Sequence, residues 1–163
     1  MNASQSNLLS SIIIRKANRS DCLDIFRWRN DRVMRGNSIL GPRKVTLSEH
    51  KRWFNEKLKD PSAIMYMAIS RNRKVGFLRF NVQEDSVEIS INVNPDFRGV
   101  GIGRKIITLS SEKVFKKIAI PIIARIKNNN VASKIAFKRC GYKHKNRDNK
   151  VTTLCFDPKS LVA

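Results

Sequence analysis

Apolar and polar positions change period several times along this chain, and each change marks an element. The β-branched run of Ser11–Ala17 (SIIIRKA) predicts a strand, and Asn18–Asp21 has the composition of a turn and helix cap. Cys22, Leu23, Phe26 and Val33 recur at helical spacing across Asp21–Met34, with Arg27, Arg29, Asn30 and Asp31 off that face. Gly36–Pro42 predicts a loop. A second helix is expected from near Ser48, capped by Thr46 or Ser48, with Trp53, Phe54 and Leu58 turned inward and Asp60-Pro61 as its stop. From Ala63 the period becomes two. Ile64–Ser70, Lys74–Asn81 and Val87–Asn94 predict three antiparallel strands joined by short polar turns. In the third, Val87, Ile89, Ile91 and Val93 alternate with Glu88, Ser90, Asn92 and Asn94, giving one apolar and one polar face.

Gly99–Lys117 predicts a helix entered through a glycine-rich turn, with Ile102, Ile106, Leu109 and Val114 inward. Pro121–Ile126 follows as a short strand, Val131–Arg139 as a helix ending at Gly141, and Val151–Phe156 as a last strand. The order β-α-α-β-β-β-α-β-α-β places hairpins in the middle and a crossover after them, which is a mixed α/β (α+β) arrangement. Residues 1–11, rich in Ser and Asn, read as a flexible tail ahead of one domain over residues 12–163.

Composition narrows the class. With 163 residues and 41% hydrophobic positions, the chain can bury a core without disulfides or metals. Its 33 Lys and Arg against 13 Asp and Glu give a net charge of +20, which favours polyanionic partners: nucleic acid, ribosome, anionic membrane or a phosphorylated ligand. The hydrophobic content excludes a disordered basic tail, and no apolar run approaches the roughly 18 residues of a membrane span. Residues 1–11 carry no Lys or Arg, unlike a secretory signal. Cys22, Cys140 and Cys155 are odd in number and lack zinc-ligand spacing, so a reducing, cytoplasmic setting is expected. With two His residues, a His-rich metal centre is not expected.

The chemistry concentrates in Val93-Asn94-Pro95-Asp96-Phe97-Arg98-Gly99-Val100-Gly101-Ile102-Gly103-Arg104. A strand runs into a loop with Gly at three alternate positions and a helix follows at once. Glycines let a ligand approach the backbone amides, and a helix N-terminus adds free N–H donors and a positive dipole end. Arg98 and Arg104 flank this anion site, and a pyrophosphate fits it. The dinucleotide fingerprint G-x-G-x-x-G fails because Arg104 stands at its last position, and no Walker sequence occurs.

Arg98-Gly99-Val100-Gly101-Ile102-Gly103 resembles the coenzyme A pyrophosphate loop of the GNAT acetyltransferase superfamily. Val93-Asn94-Pro95 is similar to the strand end that precedes that loop. Asn130, 27 residues past Gly103, with Phe137, Gly141 and Tyr142 beyond it, matches the family's pantetheine-facing segment. The resemblance covers Ile12 to about Phe156. It implies the GNAT fold, a mostly antiparallel sheet with splayed strands flanked by four helices, and an acetyl-CoA-dependent N-acetyltransferase. It implies coenzyme contacts at Ile91, Val93, Arg98, Gly99, Val100, Gly101, Ile102, Gly103, Arg104, Asn130, Ser133 and Phe137, with the Val93 N–H as oxyanion donor. Arg27-Trp28-Arg29-Asn30-Asp31, Arg35-Gly36-Asn37-Ser38, His50-Lys51-Arg52-Trp53-Phe54 and Glu88-Ile89-Ser90-Ile91 are similar to enzymes that acetylate nucleotide-linked amino sugars of the pseudaminic acid type.

Under that resemblance the acceptor contacts are Arg27, Arg29, Arg35, Asn37, His50 and Trp53, where guanidinium forks suit a diphosphate. Trp28 or Trp53 is a stacking candidate. Glu88 is the first candidate for the base that deprotonates the amine, directly or through water, and His50 the second. Phe137 occupies the position of the family's usual Tyr acid, leaving Tyr142, Cys140 or water to protonate the thiolate. Relatives that acetylate ribosomal proteins carry a Glu where this chain has Arg125. The basic run Lys138–Arg147 keeps a ribosome- or RNA-directed acetyltransferase as an alternative, and Phe137 keeps a coenzyme-binding module without catalysis. Pairing of two copies through an edge strand, as a homodimer, is left open.

Overall fold

The computed structural model describes residues 3–157. Seven strands form one sheet in the order β1-β2-β3-β4-β5-β7-β6: β1 (Ile13–Lys16), β2 (Ala63–Ser70), β3 (Arg73–Val82), β4 (Val87–Val93), β5 (Ile122–Lys127), β6 (Lys143–Arg147) and β7 (Val151–Phe156). Among the described residues only β4 and β5 pair parallel, as a crossover connection requires. The helices are α1 (Ala3–Ser10), α2 (Cys22–Asn30), α3 (Arg32–Asn37), α4 (Leu47–Lys59), α5 (Ile102–Ile118) and α6 (Val131–Arg139). The mixed, mostly antiparallel sheet agrees with the expected fold, and α1 and α3 add two short helices to the four expected.

Strand alternation divides the core into two clusters. One sheet face carries Tyr66, Leu78, Phe80, Ile89, Ile122, Ala124 and Leu154 against Ile102, Ile106, Ile107 and Val114 of α5 and Phe137 of α6. The other carries Met65, Met67 and Phe77 against Ile25 and Trp28 of α2 and Phe54 of α4. Thr46 caps α4 with Glu49 reciprocating, as the expected start of that helix requires.

The structure departs from the sequence reading in four places. Ala3–Ser10 is helical where a tail is expected, and Leu8 and Leu9 pack on the larger cluster. The helix expected over Asp21–Met34 breaks at Asp31, whose extended backbone and side chain cap α3 through the N–H groups of Val33 and Met34, so Gly36 and Asn37 are helical rather than loop. The inward face of α2 is Ile25 and Trp28, with the buried Asp21 just ahead of it, while Leu23 is 47% and Val33 is 54% exposed. Trp28 is thus a core residue rather than a stacking platform. Lys143–Arg147, read as the end of a helix and its loop, forms β6, an edge strand with every residue exposed. Its Lys residues blunt the open edge against further pairing, and that leaves no apolar alternation to detect.

Candidate active site

The site starts where two neighbouring strands part. β4 pairs with β3 along its whole length, from Val82↔Val87 to Gly76↔Val93, but with β5 only at Val87↔Ile122 and Glu88↔Ile123. Val87 donates its N–H to Pro121 O on the β5 side at 2.9 Å, and Asn94 donates to Val75 O on the β3 side at 3.0 Å. Alternation therefore turns the N–H groups of Ile91 and Val93 toward β5, beyond the last pair of that ladder. Their side chains enter the larger core cluster, so the backbone edge faces the gap. An extended ligand segment can pair there as an added strand.

Past Val93, Pro95–Phe97 makes one tight turn and the glycine loop follows. Gly99 at φ +78° and Gly101 at φ +90° occupy the left-handed region that side chains resist. Gly101 is the N-cap of α5 and offers no side-chain cap, so the first-turn N–H groups of this helix lack a cap from its own sequence. A Cβ on Gly99 would meet nothing within 4 Å, whereas one on Gly103 would lie 3.4 Å from Val93 Cγ2 at the end of β4. Val100 and Ile102 turn their side chains to the core and can contribute only backbone. Arg104 is exposed in the first turn, but Arg98 does not stand free beside the loop. Its guanidinium reaches Asp31 Oδ1 at 2.6 Å and ties the loop to the start of α3. Burial raises the Asp31 pKa, yet Arg98 and the two capping N–H groups bring it below the ordinary value.

On the opposite sheet face, Glu88, Ser90 and Asn92 of β4 lie across from Asn81, Arg79 and Phe77 of β3. Glu88 is half-buried and stands three positions before Ile91, roughly 10 Å along the strand. Arg79 sits with its guanidinium 5.4 Å above the Trp53 ring, with Glu88 and Arg29 as its charged neighbours. Burial lowers the pKa of both arginines from the ordinary value, and Arg43 lowers Arg29 further. Trp53 and Arg29 are both half-buried at this border.

Other expected site residues are placed elsewhere. His50 is 3% exposed among Phe26, Trp53 and Phe54, and its Nε2 meets Cys22 O at 3.0 Å. A carbonyl only accepts, so Nε2 carries the proton. Burial lowers its pKa and holds the ring neutral, as a core histidine rather than a base in the cleft. Arg35 is spent on Asn30 O and Pro42 O, bracing the connection after α3. Arg27 is 72% exposed with Asp24 at 3.6 Å, and Asn37 is the last residue of α3.

Tyr142 lies 2% exposed, edge-on to Phe137 at 4.9 Å, with its hydroxyl 2.7 Å from that of Ser111. Burial pushes its pKa well up, and its proton is shared inside the core rather than offered to a leaving group. Cys140 donates to Arg104 O, and burial raises its thiol pKa. Asn130 caps α6 by accepting from Ser133 N–H at 3.1 Å, so any ligand contact falls to its amide NH2. Sequence reasoning missed Arg79 and Asn81. The signal was present: one arginine interrupts the otherwise apolar stretch Val75–Phe80.

A mostly antiparallel sheet splays immediately before a glycine-led, uncapped helix, an arrangement that can hold the pyrophosphate and extended arm of an acyl-CoA. The family profile described as acetyltransferase (GNAT) domain matches residues 11–143, and the chain belongs to that family as an N-acetyltransferase. Among solved structures, the spermidine N-acetyltransferase from Vibrio cholerae, in complex with CoA and spermine, is similar at 16% identity with a TM-score of 0.83, covering 94% of this chain and 99% of that one. The aminoglycoside acetyltransferase AAC(6')-Ib in complex with coenzyme A is similar at 14% identity and a TM-score of 0.81, covering 93% and 98%. A domain from Methanocaldococcus jannaschii reaches 23% identity and a TM-score of 0.75, covering 89% and 98%. These likenesses show the fold. No curated protein matches this chain in sequence.

Proposed function

We propose that this protein transfers the acetyl group of acetyl-CoA to the amine of a small anionic acceptor, a nucleotide-linked amino-deoxy sugar. The observation that carries the coenzyme half is the unpaired edge of β4, with the N–H groups of Ile91 and Val93 directed into the splay directly ahead of the uncapped α5. The residues fit acetyl-CoA. Gly99 leaves the loop backbone open to a diphosphate, Arg104 adds a full charge, and the β4 edge accommodates the pantetheine arm. Val93 N–H donates to the carbonyl oxygen as it gains charge, and Glu88 takes the amine proton through water. With the Tyr142 hydroxyl committed to Ser111, protonation of the departing thiolate falls to solvent.

The acceptor half rests on charge. The similar structures named for spermidine and aminoglycosides act on cationic amines, whereas this chain carries a net +20 and gathers Arg29 and Arg79 beside Glu88. A polycation is repelled there, and a diphosphate is attracted. Thiol release from acetyl-CoA, compared across UDP-linked amino sugars, spermidine and a basic peptide, tests this. Turnover confined to the nucleotide sugars supports the reading, and faster turnover of spermidine or the peptide overturns it.

A further inference from the structure

The polar strip beside Glu88 holds a residue whose charge the fold itself does not satisfy. Arg79 projects from the middle of β3, between Met65 on β2 and Ser90 on β4. Its Nε is sealed from solvent without a hydrogen-bond partner, and so is Oδ1 of Asn81, two residues on and on the same sheet face. No carboxylate lies within ion-pair distance of Arg79 or Arg29 among the described residues.

The charged groups around this strip are few. Arg29 comes from α2, Arg79 from β3 and Glu88 from β4, while α4 contributes the neutral rings of Trp53 and His50. Arg43, near Arg29, is already paired with Glu49. Two guanidiniums thus face one carboxylate, and that carboxylate is the group assigned to take a proton. Once it does, the strip holds two half-buried positive charges and no negative one. Leaving an arginine donor unmade in a buried position is costly, and such a cost persists where a ligand relieves it.

We propose that Arg79 is a specificity-determining residue that binds an oxyanion carried by the acceptor, phosphate or carboxylate, with Asn81 Oδ1 accepting a neighbouring ligand hydroxyl. The inference rests on the acetyltransferase reading and sharpens its acceptor class. The Trp53 ring, 5.4 Å from the guanidinium, restrains the side chain by a cation–π contact, and the Nη groups, which unlike Nε are not sealed, are the donors an oxyanion would meet. A cationic acceptor gains nothing from this arrangement.

Calorimetry on the full chain saturated with CoA, which occupies the glycine loop, tests this with two probes. UDP presents a diphosphate and D-galacturonate a carboxylate. At least one binds the parent protein, and Arg79→Gln weakens it about tenfold or more while CoA affinity is retained. Arg79→Lys, which keeps the charge but not the fork, gives an intermediate loss. If the carboxylate alone binds and is lost, Arg79 keeps its role and the nucleotide-sugar reading falls. If UDP binds the parent and the Arg79→Gln variant equally, the nucleotide-sugar reading stands and the role of Arg79 is overturned. Failure of both probes to bind the parent also overturns it. Should Arg79→Gln lose CoA as well, Arg79→Lys decides, and an unchanged probe affinity in that variant overturns the proposal.

Discussion

Single side chains in this protein owe their roles to partners far away in sequence. Asp21 is wholly buried, and burial raises its pKa, but Arg15 at 2.7 Å, the Asn18 N–H and Lys74 at 2.9 Å outweigh that and hold it at about 2. The folded value lies below the unfolded one near 3.9, so the cluster's contribution is complete above about pH 4 and is lost as pH falls toward 2. A loss of roughly 2 kcal/mol over that window is expected. Asp21→Asn removes this acid-sensitive portion and costs about 2 kcal/mol or more at pH 7, as read by urea unfolding at pH 7 and pH 3. Glu88 invites a kinetic test. Glu88→Gln is expected to lower kcat about a hundredfold with the KM for acetyl-CoA unchanged, in steady-state thiol release. His50 and Tyr142 show why residue chemistry alone misleads: both are plausible proton carriers in sequence, and both are spent inside the core on Cys22 O and Ser111.

At the scale of elements, the close fit of α5 to the sheet positions the coenzyme loop. A Cβ at Gly76 on β3 would lie 2.6 Å from Ile106 Cδ1 and 3.3 Å from Asn92 O. Gly76→Ala is expected to cost about 1–3 kcal/mol in denaturant unfolding, whereas Gly36→Ala, with open space around it in α3, is neutral or slightly stabilising. At the loop itself, Gly101→Val forces a β-branched residue to φ +90° and lowers CoA affinity about tenfold or more, measured by calorimetry with the melting temperature as a folding control. The elements legible in advance were those with strong periods: α4 through its cap and apolar face, β4 through its alternation, and α5 through its glycine entry. The break at Asp31 and the strand β6 were not legible. A cap acting inside an apparent helix and an all-polar edge strand leave no mark on the hydrophobic pattern.

For the whole molecule, a net charge of +20 is a long-range field as well as a solubility term. The kcat/KM for acetyl-CoA is expected to fall severalfold between about 50 and 200 mM salt, with kcat nearly constant, because screening weakens steering of an anionic substrate. Salt-independent kcat/KM would show that the field does not guide the coenzyme. What the amino-acid sequence determined alone was whatever depends on near neighbours: strand and helix periods, the left-handed glycines, and the loop that leads into α5. Those features follow from backbone sterics and local hydrogen bonding, which act over a few residues. The tertiary structure alone decided which charges meet. Arg98 closes on Asp31, Arg15 and Lys74 close on Asp21, and Arg79 comes to stand over Trp53 beside Glu88. Such encounters are set by strand register and helix docking, and a charged side chain carries no period that announces its partner.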